Sequence, residues 1–279
     1  MTVHRPSLSD YPLKDSFPPC LGHDDWDHRV FVCSNETNQE NTLTSLARKA
    51  IVGNTIAGVS GFCLLNMTAV RGTRSESPAA IENVVIMDRS IRMEHFWKSI
   101  QPIIQKSNTR QEVLEKTKQL ILKEKSRYFS GGSCAYCQTS TKIAEHYCTL
   151  LDQEVQNGIS WLSDDLKFVR IKRIFDHSRF HFVLLDIASL ERVFGLSQEF
   201  KKRGFTIDSL YLSNVEEYIN PDEKDAYISS VDYLSSPETL IVQTQQRIDQ
   251  MTQPVVQEIL SRKPPEGNFR EKRLKQDTQ

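Results

Sequence analysis

Long apolar runs are missing from this chain. A bilayer-crossing helix needs about 20 consecutive apolar residues, and none of the 279 positions begins such a run, so no membrane contact is expected. A dominant charge is missing too. Lys and Arg total 35 against 36 Asp and Glu, a formal net charge of -1. That balance gives no global pull towards nucleic acid or anionic lipid, and neither is indicated as a partner. The opening stretch "MTVHRPSLSDYPLKDSFPPC" lacks a charged-then-apolar leader. A reduced, cytoplasmic setting is therefore the expectation for the six cysteines, Cys20, Cys33, Cys63, Cys134, Cys137 and Cys148. Cys33 and Cys63 lie in apolar stretches, where a free thiol packs as a small hydrophobe. The sequons at Asn35 and Asn66 are then accidents of composition. There is no internal repeat, and no Ser/His/Asp set can be assembled by spacing, which removes the usual hydrolase reading.

What is present is a soluble, globular composition, 38% hydrophobic and 25% charged, in strand–helix pairs. Apolar, β-prone segments fall near residues 55, 85, 183, 210 and 241. Amphipathic segments lie between them: 91–105, with Ile91, His95, Phe96 and Ile100 at near-helical spacing, then 139–158, 189–204 and 222–235. Ser163, Asp164 and Asp165 read as a cap and acidic first turn for a helix ending near 175, and Gly204 as a helix stop. Continuous apolar strands alternating with amphipathic helices predict an α/β fold. The expected architecture is a mostly parallel, doubly wound sheet with helices on both faces and a large helical insertion at 91–175. Residues 1–42 read as an extended arm and polar loop, 43–261 as the α/β domain, and 262–279 as a mobile basic tail. Within the arm, "RVFV" (29–32) reads as a strand or an anchoring turn. The polar patch "SNETNQENT" (34–42) is either a surface loop or a fold-over at the sheet's carboxyl edge.

In such sheets, ligands bind beyond the carboxyl ends of the strands. Four polar tips occupy those positions here: Gly58–Gly61 in "IAGVSGF", Asp88 in "VVIMDRS", Asp186 in "FVLLDIASL", and Ser213–Asn214 in "LYLSNVEEYIN". A helix N-cap alone accounts for any one of them. The set of four points to a site.

On these residues the chain resembles the class I S-adenosylmethionine-dependent methyltransferases, over about 50–90 and 179–245. The resemblance implies that Gly58 and Gly61 hold the methionine part of S-adenosylmethionine and that Asp88 takes the ribose hydroxyls. A carboxylate accepts two hydrogen bonds from a vicinal diol. It further implies that Asp186 faces the adenine and that Ser213 and Asn214 stand near the transferred methyl. Methyl transfer needs in-line positioning more than acid or base; Asn214, Glu216 or Tyr218 could orient the nucleophile, and the sequence does not choose among them. The methyl acceptor is not legible. The turn departs from the family's Gly-x-Gly-x-Gly, and the acidic residue expected on the first strand is absent. A non-catalytic protein with a degenerate cofactor site, making protein contacts through the insert or basic tail, is the alternative. A nicotinamide-dependent enzyme shares the Asp88 logic but lacks Gly-x-Gly-x-x-Gly.

Cys134-x-x-Cys137, followed by His146 and Cys148, has the outline of a zinc half-site. On a helix, however, His146 and Cys148 face opposite sides, so no metal is expected. His95 reads as a core-edge histidine, His177 as a solvated loop residue, and His181 as a satisfied sheet residue.

Overall fold

The computed structural model describes residues 30–34, 36, 38–59, 61–71, 81–129, 139–213, 215–245 and 256–261. The tail 262–279, Asn214 and the pair Cys134 and Cys137 lie outside the described residues.

Five parallel strands form the sheet: β1 (Thr55–Gly58), β2 (Asn83–Asp88), β3 (Phe180–Leu184), β4 (Ile207–Ser213) and β5 (Leu240–Gln245). A sixth strand, β6 (Val256–Ser261), runs antiparallel to β5. The strand order is β3-β2-β1-β4-β5-β6. The chain winds outward from β1 to β3, then returns to β4 beside β1. The switch point therefore lies between β1 and β4. This is the predicted doubly wound α/β fold, Rossmann-like in its order of parallel strands.

Alternation along the strands explains the two cores. Val84 and Ile86 of β2 enter one apolar cluster; Val85 and Met87 enter the other. The second face is covered by α8 (Leu190–Arg203) and α9 (Lys224–Leu234) through Val193, Leu196, Phe200, Tyr227 and Val231. The first face carries α1 (Gln39–Arg48), α2 (Phe62–Arg71) and α3 (Ile91–Lys106). The insertion continues that layer as α4 (Arg110–Lys123), α5 (Lys125–Phe129), α6 (Ser140–Gln156) and α7 (Asp165–Asp176). It packs beside α2 and α3, so it widens one face of the sheet. Phe62 at the start of α2 anchors it, with ring centroids 5.7 Å from Trp97 and 5.9 Å from Trp161.

Local signals hold where they were read. Asp164 caps α7 by accepting from the Lys167 N–H at 2.9 Å. Gly204 ends α8 at φ 69, a left-handed conformation that glycine adopts without steric cost. The arm differs from its expected boundary: Val30 and Val32 are fully buried in the first-face core, and α1 starts at Gln39, ahead of the limit set at 42. Among the described residues, no helix is long and apolar enough to cross a membrane.

Candidate functional site

The carboxyl edge is built from strand tips that are far apart in the chain. β2 and β3 pair in register, Asp88 opposite Leu184, which brings Asp88 and Asp186 to the same end of neighbouring strands. Asp88 Oδ1 accepts from the Ser90 N–H at 2.8 Å, and Asp186 Oδ1 from the Ala188 N–H at 2.9 Å. Arg89, on the β2 tip, lies 3.7 Å from Asp186 Oδ2, linking the two tips across the edge. Both carboxylates are half-buried.

Gly58 ends β1, opposite Ile86 on one side and Tyr211 on the other. A side chain there would meet the Tyr211 carbonyl at 2.3 Å, and one at Gly61 would meet the Phe31 and Val32 carbonyls at 2.2 and 2.3 Å. Both glycines are thus demanded by close approach of the chain's own backbone. The N–H groups follow the same pattern: Val59 donates to the Tyr211 carbonyl and Phe62 to the Val32 carbonyl, at 3.0 and 2.8 Å. The first N–H of α2, the group a ligand phosphate would ordinarily seek, is taken within the chain.

Residues 30–34 and Glu36 therefore form a strap across the switch point. "RVFV" is the anchoring turn of the two readings, and the start of the polar patch folds over the carboxyl edge. Glu36 is buried. Its carboxylate accepts from the Tyr211 hydroxyl at 2.9 Å, from the Ser213 hydroxyl at 2.5 Å, and from the Thr244 hydroxyl. Ser213 holds a positive φ of 52 where the β4–β5 register shifts, which turns the end of β4 towards the strap. Burial pushes the Tyr211 phenol well above its ordinary pKa, with Cys63 and Glu36 adding to the effect. The phenol thus stays neutral and donates its hydrogen bond. Sequence reading did not single out Glu36. The dense Ser/Asn/Thr patch around it was the available signal.

Beyond Ser213 the chain makes a short 3-10 turn, Val215–Tyr218. Glu216 is half-buried in it and Tyr218 is 63% exposed, so of these two Tyr218 is the more open to an approaching molecule.

The histidines fall as read. His95 is half-buried on α3, with its pKa lowered by partial burial and by Arg127. His177 is exposed at the end of α7, and His181 is buried in β3, its pKa held down at about 4 by burial. His146 is exposed on α6 while Cys148 is buried, so they do face opposite ways. Among the described residues, no group of three metal-ligating side chains comes together.

An open parallel sheet with its polar tips gathered at one edge defines a Rossmann-like α/β protein. Residues 31–278 match the family described as Domain of unknown function (DUF7790), and the chain belongs to that family. No curated protein matches it.

Proposed function

We propose that this is an S-adenosylmethionine-binding, methyltransferase-like protein whose cofactor lies along the β3-β2-β1-β4 edge. The observation that carries the proposal is the order of the tips: Asp186, Asp88, Gly58 and Ser213 stand on consecutive strands at one end of the sheet. Charge favours this ligand over a dinucleotide. The edge presents two half-buried carboxylates, Asp88 and Asp186, against one cation, Arg89, with Glu36 buried beneath the strap, and the first N–H of α2 is already bonded. A pyrophosphate would meet that acidic edge without its usual donor. A sulfonium with an α-ammonium group brings the opposite charge. In this reading Asp88 takes the ribose, Asp186 the adenine side, and Asn214, Glu216 or Tyr218 orients the acceptor. The acceptor class is open, and the expected compartment is the cytoplasm.

A second reading is favoured by one observation, the Val32 carbonyl on the Phe62 N–H with Gly61 packed against the strap. Here the fold is kept, the glycine turn serves the chain's own packing, and the protein acts through contacts with other proteins. Isothermal titration separates the two. The first reading expects saturable heat with S-adenosylmethionine, weakened at least tenfold by Asp88→Ala. A folded sample that gives no heat at millimolar ligand rejects it.

A further inference from the structure

The strap takes up, within one short segment, the groups that a ligand at the switch point would need. The Val32 carbonyl accepts from the Phe62 N–H at 2.8 Å, at the start of α2. The Phe31 and Val32 carbonyls fill the space beside Gly61, 2.2 and 2.3 Å from where a Cβ would stand. Glu36 reaches the ends of β4 and β5, accepting from the Tyr211 hydroxyl at 2.9 Å, from the Ser213 hydroxyl at 2.5 Å and from the Thr244 hydroxyl. The root of the strap is set by Val30, whose N–H donates to the Tyr128 carbonyl at 3.2 Å, and by the full burial of Val30 and Val32. On the other side of β1, Asp88 and Asp186 are half-buried at the tips of β2 and β3. The edge is thus divided. Its β1-β4-β5 end is filled by the chain itself, and its β3-β2 end is partly open to water.

We propose that residues 30–34 and Glu36 are an autoinhibitory plug, which the amino-acid arm of the proposed cofactor must displace. The inference rests on the cofactor reading above. In that reading the methionine part lies against Gly58 and Gly61 and points to Ser213, while the nucleoside part lies against Asp88 and Asp186. Only the methionine part shares its place with the strap. Two carbonyl oxygens already stand where an atom packed on Gly61 would have to be. Strap and methionine part therefore exclude each other, and the nucleoside part does not compete.

Exclusion fixes the sign of the coupling. The apparent dissociation constant is the intrinsic one divided by the fraction of molecules whose strap is released. Whatever weakens the closed strap tightens the ligand by the same factor, for as long as the released form is the minor one. By reciprocity the ligand drives the strap off. A lid behaves in the opposite way, because a bound ligand holds it shut. Glu36 sets the polar part of this balance. In the closed form its carboxylate exchanges water for hydroxyl donors, and on release it regains water. Removing one hydroxyl costs the closed form a hydrogen bond and leaves the released form untouched. Thr244 supplies such a hydroxyl from β5, outside the residues proposed to hold the cofactor.

Two measurements on the full chain, wild type and Thr244→Val, test the plug: amide hydrogen exchange, and isothermal titration with S-adenosylmethionine and with adenosine, which lacks the methionine arm. Thr244→Val should speed exchange of the Val30 and Phe62 amides at least fivefold with β2 unchanged. It should tighten S-adenosylmethionine at least threefold and leave adenosine within twofold. Saturating S-adenosylmethionine should speed the same two amides in wild type. Slower exchange with ligand overturns the plug and makes the strap a lid. Faster strap exchange with unchanged S-adenosylmethionine affinity also overturns it, as does unchanged strap exchange in the variant or an equal gain for both ligands. Heat from neither ligand in either protein is a different result: it rejects the cofactor reading, and the plug falls with it. Should Thr244→Val fail to fold, the direction of the wild-type exchange response to S-adenosylmethionine decides alone.

Discussion

Two buried carboxyl groups in this protein have opposite surroundings, and their mutants should behave oppositely. Asp208 is fully buried and is met by Arg71 in a two-pronged ion pair, Nε to Oδ2 at 2.7 Å and Nη2 to Oδ1 at 2.6 Å. The Val52 N–H and the Ser209 hydroxyl complete its shell. Arg71 also donates to the carbonyls of Leu46, Lys49 and Ala50, tying the loop after α1 to the sheet. Removing one partner of such a pair leaves a bare buried charge. Arg71→Met should cost about 3–5 kcal/mol, read as a lower urea midpoint. Among the described residues Glu154 makes no ion pair, and its mutant should gain. Its folded pKa of about 7 lies above the unfolded value, so the stability linked to its protonation is complete below about pH 4.5 and is lost as pH rises through 7. The span corresponds to roughly 3 kcal/mol at 1.36 kcal/mol per unit. Urea titrations at pH 5 and pH 8 should therefore show wild type less stable at pH 8 on this account. Glu154→Gln should narrow the gap and be the more stable protein at pH 8.

Elements differ in how far they could be read ahead of the coordinates. The strand tips and the helices 91–105, 139–158 and 189–204 carry their periods locally, so apolar spacing and caps suffice. The strap does not. Glu36 meets Tyr211 and Thr244 across 175 and 208 positions, and no local pattern encodes such a pairing. The glycine turn illustrates the same gap. Gly58 and Gly61 read as room for a ligand, and the backbone that fills that room, Tyr211 and Phe31–Val32, comes from elsewhere in the chain. The start of α1 was hidden for a different reason. Its first residues, Gln39 to Thr42, are polar and look like loop, yet Gln39 turns inward and donates to the Glu36 carbonyl at 3.1 Å. Strand β6 follows β5 in the chain and is held by antiparallel pairing with it. A packing test belongs at this scale. In Gly61→Ala the new methyl meets two strap carbonyls, so the strap must move away from α2. An overpacking cost of about 1–3 kcal/mol is expected. Faster exchange of the Phe62 and Val30 amides should accompany it.

At the scale of the whole molecule, the insertion and the sheet share one core. Phe62 of the first crossover contacts Phe96, Trp97 and Trp161, and Trp161 stacks on Phe168 of α7 at 6.3 Å. Trp97 in turn lies 4.7 Å from Phe180 of β3. A layer locked this way has no seam along which the insertion could melt alone. Unfolding followed by tryptophan fluorescence, in a Trp26→Phe background so that Trp97 and Trp161 report, should coincide with unfolding followed by far-ultraviolet circular dichroism. An earlier fluorescence transition marks the insertion as an independent unit.

The strap has a consequence for the newborn chain. Residues 30–34 and Glu36 are synthesised well before Tyr211, Ser213 and Thr244, which hold Glu36. At translation speeds of about 5–20 residues per second, the N-terminal segment waits roughly ten to forty seconds for its hydroxyl partners. Throughout that interval Glu36 is hydrated and the crevice stands unsealed. Closure over the edge thus has to await the synthesis of β5, and a chain truncated before β5 would emerge with its front door open.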